Sequence, residues 1–364
     1  MTKPAELILH IGHFKTGTTA LQICFASNAA KLEAQGVFYS PIPMHLSKHS
    51  ALAFCLLHDA GVTELMHGYK PLQSTPEIWG NLFDTVRLLD PGQSLLVSSE
   101  ELIRIGGYPQ AAEGLRTVIA NNPDIPVRVI AYLRAPNSHL HSWHNQLVKM
   151  GVSTGNFDTT VRTGMERVHW DAASALRPWV EVFGAENVIL RQFHDTLRDG
   201  DALLVDFMTA LGFDALTNPT LPKQDPNPRL DDRISDLKRA YLRAGLPKPM
   251  TDKTVALAAA NLTEEMGDDA AGESFDTIRA TALAGITELA GLPNAGLDVP
   301  SMTADLPTPL SDDARALSEL VVLLGGEIAQ LRTVLRETNR RMNRLENKLN
   351  PTAQDAVQDS GDDA

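Results

Sequence analysis

Short apolar runs alternate with longer amphipathic stretches along the first two thirds of the chain. The apolar runs at 7–11, 94–98, 127–133 and 187–191 have the length of buried strands, and helical patterns lie between them. Buried strands that alternate with helices indicate a parallel sheet that is covered on both faces. The pattern therefore predicts an α/β fold with a doubly wound, mostly parallel sheet.

Two proline-rich segments and a heptad pattern divide the rest of the chain. We predict five regions: a core over 1–228, a helical extension over 229–292, a proline-rich linker over 293–310, a coiled-coil helix over 311–350 and a disordered tail over 351–364.

The coiled-coil prediction rests on apolar residues whose spacings alternate between four and three. They are Leu317, Val321, Leu324, Ile328, Leu331, Leu335, Thr338, Met342, Leu345 and Leu349, with one polar member. The alternative is a long amphipathic helix packed on its own domain. The apolar stripe of such a helix is normally wider than this two-position stripe. We expect a homo-oligomer that forms through 317–349, with a seam weakened by Gly325 and Gly326.

The composition is that of an acidic globular protein. The chain has 364 residues, of which 43% are hydrophobic and 21% charged, and its formal net charge is −13. A charge of this sign argues against nucleic acid or an anionic membrane as a partner. No segment approaches the ~18 apolar residues of a membrane span, and no signal-like stretch precedes the first motif. We therefore expect a cytoplasmic protein with no membrane span.

The cysteine content excludes a disulfide framework. Cys24 and Cys55 are the only cysteines, and the sequence has no CxxC pair and no His/Cys cluster at metal-ligand spacing. We expect buried, reduced thiols and no metal.

The first predicted strand runs into a glycine-bearing loop, and residues 8–22 read ILHIGHFKTGTTALQ. A loop between a strand and a helix collects unpaired backbone N–H groups and the positive helix end, which together attract an anion. Gly12 and Gly17 have the spacing of the ATP/GTP P-loop, but Thr18 stands where that motif needs lysine, and the lysine here is Lys15. The loop therefore predicts a ligand with a phosphate-type group, and its sequence differs from the P-loop of kinases.

The segment GHFKTGTT resembles the 5′-phosphosulfate loop of the PAPS-dependent sulfotransferases of bacterial type, which is written PK[ST]GTT; PAPS is 3′-phosphoadenosine 5′-phosphosulfate. Phe14 replaces the proline of that family. The resemblance implies a P-loop-like fold and a role for Lys15 in neutralising charge on the bridging oxygen as sulfur departs. It also implies that the 5′-phosphosulfate is bound by Lys15, Thr16, Gly17, Thr18 and Thr19.

A second motif resembles the 3′-phosphate motif of the same family. It lies in VRVIAYLRAPNSHLHSWHNQ, residues 127–146, where Arg134 ends the strand and Ser142 follows eight residues later. A guanidinium at a strand end can hold a phosphate through two parallel hydrogen bonds, and a serine can donate a third. The alternative for Arg134 is a structural ion pair at the surface.

The resemblance covers about residues 6–240, and the predicted coiled coil lies outside it. Asn227 and Arg229 fall where members of the family carry a polar cofactor-side segment, but we do not rank them as site residues.

Family members that use a carboxylate base have it after the strand between the two cofactor motifs, where this chain has Glu100. Glu100 is therefore the predicted catalytic base, together with Lys15 as the second catalytic residue. The alternative is that acidic residues here start a helix. Competing bases are His13, His139, His141 and His144.

These residues predict a sulfotransferase that moves a sulfuryl group from PAPS to an acceptor hydroxyl, with a carbohydrate as the favoured acceptor. Two alternatives stay open: a P-loop nucleotide-dependent kinase and a catalytically inactive coiled-coil scaffold. Part of the acceptor pocket is expected from residues 40–80, which contain Met44, His45, His49, His58, His67 and Tyr69.

Overall fold

The structure is a computed structural model, and it describes residues 3–42, 47–63, 65–70, 72–152, 154–222, 232–249, 251–252 and 273–349. Met44, His45, Asn227, Arg229 and the predicted tail over 351–364 lie outside the described residues. The chain divides into two compact units. The first comprises 1–144, 160–229 and 271–309, and the second comprises 145–159, 230–270 and 310–364.

The first unit is built on a parallel sheet of six strands. The strands are β1 (Glu6–His10), β2 (Val37–Tyr39), β3 (Ser94–Ser98), β4 (Val127–Leu133), β5 (Val188–Gln192) and β6 (Ala295–Gly296). Their order is β2-β3-β1-β4-β5-β6, and every described pair is parallel. The predicted α/β class and mostly parallel sheet are confirmed.

Helices of the first unit connect these strands. They are α1 (Thr18–Ser27), α2 (Ala29–Glu33), α3 (Ser50–Asp59), α4 (Thr75–Arg87), α5 (Pro109–Ala120), α8 (Ala172–Phe183), α9 (Ala202–Ala210), α11 (Phe275–Ala290) and α12 (Val299–Thr303). A 3-10 segment, Glu100–Gly107, follows β3. Gly184 ends α8 as its C-cap, at φ 83°.

Helix α6 (Pro136–Met150) belongs to the first unit as far as residue 144. The second unit contains α7 (Phe157–Thr159), α10 (Asp232–Arg243) and α13 (Asp312–Leu349). Leu237 and Tyr241 of α10 pack against Ala329 of α13. Among the described residues, no helix is long and apolar enough to cross a membrane.

The core of the first unit explains why the apolar runs form strands. Ile8 in β1 is fully buried and belongs to a cluster with Phe25 of α1 and Phe207 of α9 on one face of the sheet. On the other face, α4 and α8 contribute Trp79 and Trp179, both fully buried. A strand that is covered on both sides favours apolar residues at most positions, and such a strand forms a nearly continuous apolar run in the sequence.

The proline-rich segment over 293–310, which the sequence predicts as a linker, carries regular structure. Ala295 and Gly296 of β6 pair with Leu190 and Arg191 of β5. Helix α12 follows, with Asp298 as its N-cap. Proline at the first turn of α12 is tolerated because the first helical N–H groups have no intrahelical partner anyway. This segment therefore extends the sheet of the first unit.

Candidate active site

Three of the predicted site segments follow three neighbouring strands. The loop with Lys15 follows β1, Glu100 follows β3, and Arg134 follows β4, while β1 lies between β3 and β4. The strands are parallel, so their carboxyl ends lie at one edge of the sheet, and the direction of strand order reverses at β1. Ligands of open α/β sheets bind at this kind of place.

Backbone hydrogen bonds hold the loop after β1 against the end of β4. The Tyr132 N–H donates to the Gly12 carbonyl at 2.7 Å, and the His13 N–H donates to the Tyr132 carbonyl at 2.9 Å. Gly12 has φ 93°, and a Cβ there would lie 3.0 Å from the Cα of Glu100. The absence of a side chain at Gly12 therefore lets the loop and the end of β3 approach each other.

Helix α1 begins directly after this loop, and its N-cap is Gly17 at φ 77°. Glycine has no side chain to accept hydrogen bonds from the first N–H groups of the helix, and no side-chain cap is present there. Lys15 has φ 64° and is partly exposed. The start of α1 thus offers backbone donors and a positive helix end beside a lysine.

Two of the loop threonines direct their hydroxyl groups into the loop itself. Thr16 donates to the His13 carbonyl at 2.6 Å, and Thr18 donates to the same carbonyl at 3.1 Å. Both side chains are buried, whereas Thr19 is partly exposed. Since a hydroxyl has one hydrogen to donate, Thr16 and Thr18 stabilise the loop conformation in this structure.

The Glu100 carboxylate is held by two side chains. Lys48 donates to its Oε1 at 2.9 Å, and Gln22 of α1 donates to its Oε2 at 2.9 Å. Lys48 also donates to the neighbouring carboxylate of Glu101, which accepts from the Ser99 hydroxyl at 2.7 Å as well. The side chain of Glu101 is fully buried, while those of Glu100 and Lys48 are each 13% exposed.

The surroundings of Glu100 and Glu101 shift the pKa values of the two carboxylates in opposite directions. Burial acts to raise the pKa of Glu100, but the charge and hydrogen bond of Lys48 and the hydrogen bond from Gln22 bring it below its ordinary value. Burial and the charge of Glu100 raise the pKa of Glu101. Glu100 is therefore ionised at neutral pH, as a group that accepts a proton must be.

Arg134 is engaged in an ion pair at the end of β4. Its guanidinium donates to both carboxylate oxygens of Asp195 at 3.1 Å, and Asp195 follows β5, the neighbouring strand. The Arg134 side chain is 12% exposed and that of Asp195 is 65% exposed. Ser142 is buried in the second turn of α6. The ion pair that the sequence left as an alternative for Arg134 is present in this structure.

The positive charges of Lys15 and Arg134 both lower the pKa of one buried histidine, His139. Burial, the neighbouring His13 and His169, and the positive charges of Arg134 and Lys15 hold the pKa of His139 well below its usual range. His139 lies on α6, one turn before Ser142. The loop lysine and the strand-end arginine therefore contribute to a positive field over the same few residues.

Three buried histidines lie together in the part of the chain that the structure describes. His139 of α6 lies beside His13 of the loop after β1 and His169, although the three are far apart in sequence. Ring nitrogens of these three histidines lie within 4.8 Å of one another, so the cluster could in principle hold a metal ion.

The hydrogen bonds of His13 count against both a base and a ligand role in this conformation. Its Nδ1 accepts from the Phe14 N–H at 2.8 Å, so its Nε2 carries the hydrogen and donates to the Val168 carbonyl at 2.8 Å. Burial lowers the pKa of His13 to about 4, which keeps the ring neutral. Neither nitrogen has a lone pair left for a proton or a metal.

Three residues of this site have no signal in the sequence: Gln22, Lys48 and His169. Of these, Lys48 belongs to the expected acceptor segment over 40–80, but it was not singled out. His49 in that segment is buried, and its ring bonds to the backbone of Ser40 and Ser98, so it has a structural role. Cys24 and Cys55 are buried and unpaired, as predicted.

Comparison with known proteins finds similarity to solved structures. No protein-family model and no curated protein matches the chain. A sulfotransferase from Alicyclobacillus acidocaldarius is similar at 15% identity and a TM-score of 0.38, over 72% of this chain and 98% of that one. The sulfotransferase domain from the curacin biosynthetic pathway is similar at 12% identity and a TM-score of 0.32, over 72% of this chain and 100% of that one. At these TM-scores the similarity carries no argument. Among solved structures, this chain is similar to sulfotransferases.

Proposed function

We propose that this protein transfers a sulfuryl group from PAPS to an acceptor hydroxyl, and that the acceptor is a carbohydrate. One observation carries the proposal. The phosphate-type loop, an ionised carboxylate and a strand-end arginine follow three adjacent parallel strands, as Lys15, Glu100 and Arg134. Sulfuryl transfer to a hydroxyl needs a site that binds an anionic donor and, beside it, a group that accepts the proton of the hydroxyl.

The donor is held by local positive charge on a chain with a net charge of −13. The backbone of the loop over 15–19 and the Lys15 ammonium bind the 5′-phosphosulfate. Arg134 exchanges its exposed partner Asp195 for the 3′-phosphate, and Ser142 adds a donor. Exchange costs little because the Asp195 side chain is 65% exposed and keeps water and Arg198 as partners.

In the reaction, the acceptor hydroxyl donates to the Glu100 carboxylate in place of one of its two present donors, Lys48 or Gln22. It then gives its proton to this carboxylate. A bond forms between the acceptor oxygen and sulfur, while the bond between sulfur and the bridging phosphate oxygen breaks. Lys15 stabilises the negative charge that develops on the departing phosphate. Lys48 keeps Glu100 ionised before the proton arrives, which follows from its effect on the pKa of Glu100.

The acceptor side of the proposal rests on the segment over 40–80. Lys48 from this segment contacts Glu100, which supports the expectation that the segment lines the acceptor pocket. A sugar presents hydroxyl groups that can hydrogen-bond to Lys48 and Glu100 together. This step would be tested by incubating the protein with sulfur-labelled PAPS and separate panels of polysaccharides, lipid-linked sugars and small alcohols. Label in any panel but the sugars would contradict a carbohydrate acceptor.

The donor is tested by calorimetric titration of 3′-phosphoadenosine 5′-phosphate into the full chain. We expect Lys15→Ala and Arg134→Ala each to weaken binding by about 2 kcal/mol, or about 30-fold in Kd. Lys3→Ala is the matched control for Lys15, because Lys3 precedes β1 and lies towards the opposite edge of the sheet. Arg116→Ala is the control for Arg134, because Arg116 is also ion-paired at the surface.

The same titration with ATP and with adenosine 5′-phosphate separates the alternatives. The proposed 3′-phosphate contact is supported if the protein binds the bisphosphate more tightly than adenosine 5′-phosphate and if Arg134→Ala removes this difference in affinity. Tight binding of ATP in its place would favour the kinase. Binding of no nucleotide would leave the catalytically inactive scaffold. Glu100→Gln should bind the bisphosphate as the wild type does and lose transfer of the label.

A further inference from the structure

Helix α13 presents an apolar stripe to solvent from residue 324 onwards. Helix α13 spans 38 residues. Each residue over 333–346 is exposed. Apolar side chains of the stripe are between 42% and 66% exposed: Leu324, Ile328, Leu331, Leu335, Met342 and Leu345. Contiguous exposed apolar surface of this kind marks an interaction site.

The neighbouring helix of the same unit covers a different face of α13. Arg239 of α10 donates to the Ser318 hydroxyl at 2.7 Å, and Ala329 packs against Leu237. A Cβ at Gly325 would lie 2.7 Å from the Cβ of Ala240, so this glycine permits the close approach of α10. The sequence assigned Gly325 a weakening effect on the seam, and the structure gives it a packing role. The stripe itself is left uncovered by α10.

The residues of the stripe occupy the two contact positions of a heptad. Ile328, Leu335 and Met342 stand at a positions, whereas Leu324, Leu331 and Leu345 stand at d positions. A strict a/d stripe is the narrow seam of a coiled coil rather than the wider face of a helix packed in a bundle. A lone helix gains little stability without tertiary packing, so the exposed turns also need a partner to be stable.

The charges beside the stripe favour a second copy of the same chain in parallel register. Arg341 stands at a g position, and Glu346 stands at the e position five residues later; both are exposed. In a parallel pair, g of one chain faces e of the other, so Arg341 of each copy meets Glu346 of the other copy. In an antiparallel pair g faces g and e faces e, so this combination does not form.

We propose that a second copy of this chain covers the stripe, as a parallel, in-register, two-stranded coiled coil over 324–349. The inference is independent of the proposed sulfuryl transfer. It makes the protein a homodimer that is joined through α13.

Cysteine cross-linking tests orientation and register. Leu345→Cys places one thiol at a d position of each full-length chain, and d residues of a parallel in-register pair face each other. Mild oxidation should give a covalent dimer on a non-reducing gel. The wild type is the control, since its own Cys24 and Cys55 are buried. No cross-link from Leu345→Cys, or the same yield from Arg340→Cys on the outer face, would overturn the parallel register.

Charge reversal tests the facing residues by sedimentation equilibrium of the full chain. Arg341→Glu sets Glu against Glu and should raise the dimer dissociation constant about tenfold, which corresponds to about 1.4 kcal/mol. Arg341→Glu/Glu346→Arg restores opposite charges and should restore affinity. Arg340→Glu is the matched control, because position f points away from the seam and the charge change is identical. A monomeric or trimeric wild type, or failure of the double variant to recover, would overturn the proposal.

Discussion

Gly17 offers the sharpest test of how the loop before α1 is packed. It has φ 77°, and a methyl group added there would overlap the end of Leu203 and lie 3.1 Å from the ring of Phe193. A left-handed conformation costs a residue with a side chain about 1–2 kcal/mol. Overpacking in a dense core adds typically about 1–3 kcal/mol. We therefore expect Gly17→Ala to lower the free energy of unfolding by about 2–5 kcal/mol.

Gly212 provides a matched control for the conformational part of this cost. Its φ is 78°, and an added Cβ would meet nothing within 4 Å. Gly212→Ala should therefore cost only about 1–2 kcal/mol. Urea denaturation measures both variants through the fluorescence of the buried Trp79 and Trp179, which belong to the first unit. The difference between the two variants gives the steric part.

A second substitution shows whether Leu203 is the obstacle. Leu203 belongs to the core cluster and is 7% exposed, so it cannot turn into solvent. Leu203→Ala should cost less in the Gly17→Ala background than in the wild type, with a coupling of about 0.5–3 kcal/mol. Equal costs for Gly17→Ala and Gly212→Ala, or a coupling near zero, would refute the reasoning.

Three further outcomes follow from the site, each measured by urea denaturation. Asp305→Ala should cost about 1 kcal/mol, because Asp305 accepts from the Ser138 N–H at 3.0 Å at the start of α6; an unchanged midpoint would exclude this cap. Acidification from about pH 7 to about pH 5 should cost about 2 kcal/mol through His13, whose pKa rises from about 4 to 6.5 on unfolding, so that the unfolded chain binds more protons in that window; His13→Gln should lose this contribution and keep that of His10, whose pKa burial also lowers to about 4. Lys48→Met should cost about 3 kcal/mol. The loss should be larger at pH 8 than at pH 5, because the pKa of Glu100 rises without the ammonium and stability then falls as pH rises; a loss independent of pH would contradict this.

Local patterns in the chain determined the strands and the phosphate-type loop. The apolar runs at 94–98 and 127–133 coincide with β3 and β4, because strands covered on both faces are rich in apolar residues. Lys15, Gly17 and Thr18 could be identified together, since residues of one tight turn are neighbours in sequence. Roles for Glu100 and Arg134 were predicted from the resemblance to sulfotransferase motifs rather than from any pattern in the chain alone.

Only the tertiary structure decided which side chains complete the site. Lys48 and Glu100 are separated by 52 positions, and His13 and His169 by still more, so no spacing along the chain reports their contact. The strand β6 is two residues long, which is too short for a periodic pattern, and only its pairing with β5 defines it. From the sequence alone, Gly325 is interpreted as a weak point in a helix, whereas in the structure it permits the close approach of α10. Periodicity records which face of an element is buried, whereas the partner on that face depends on how the whole chain packs.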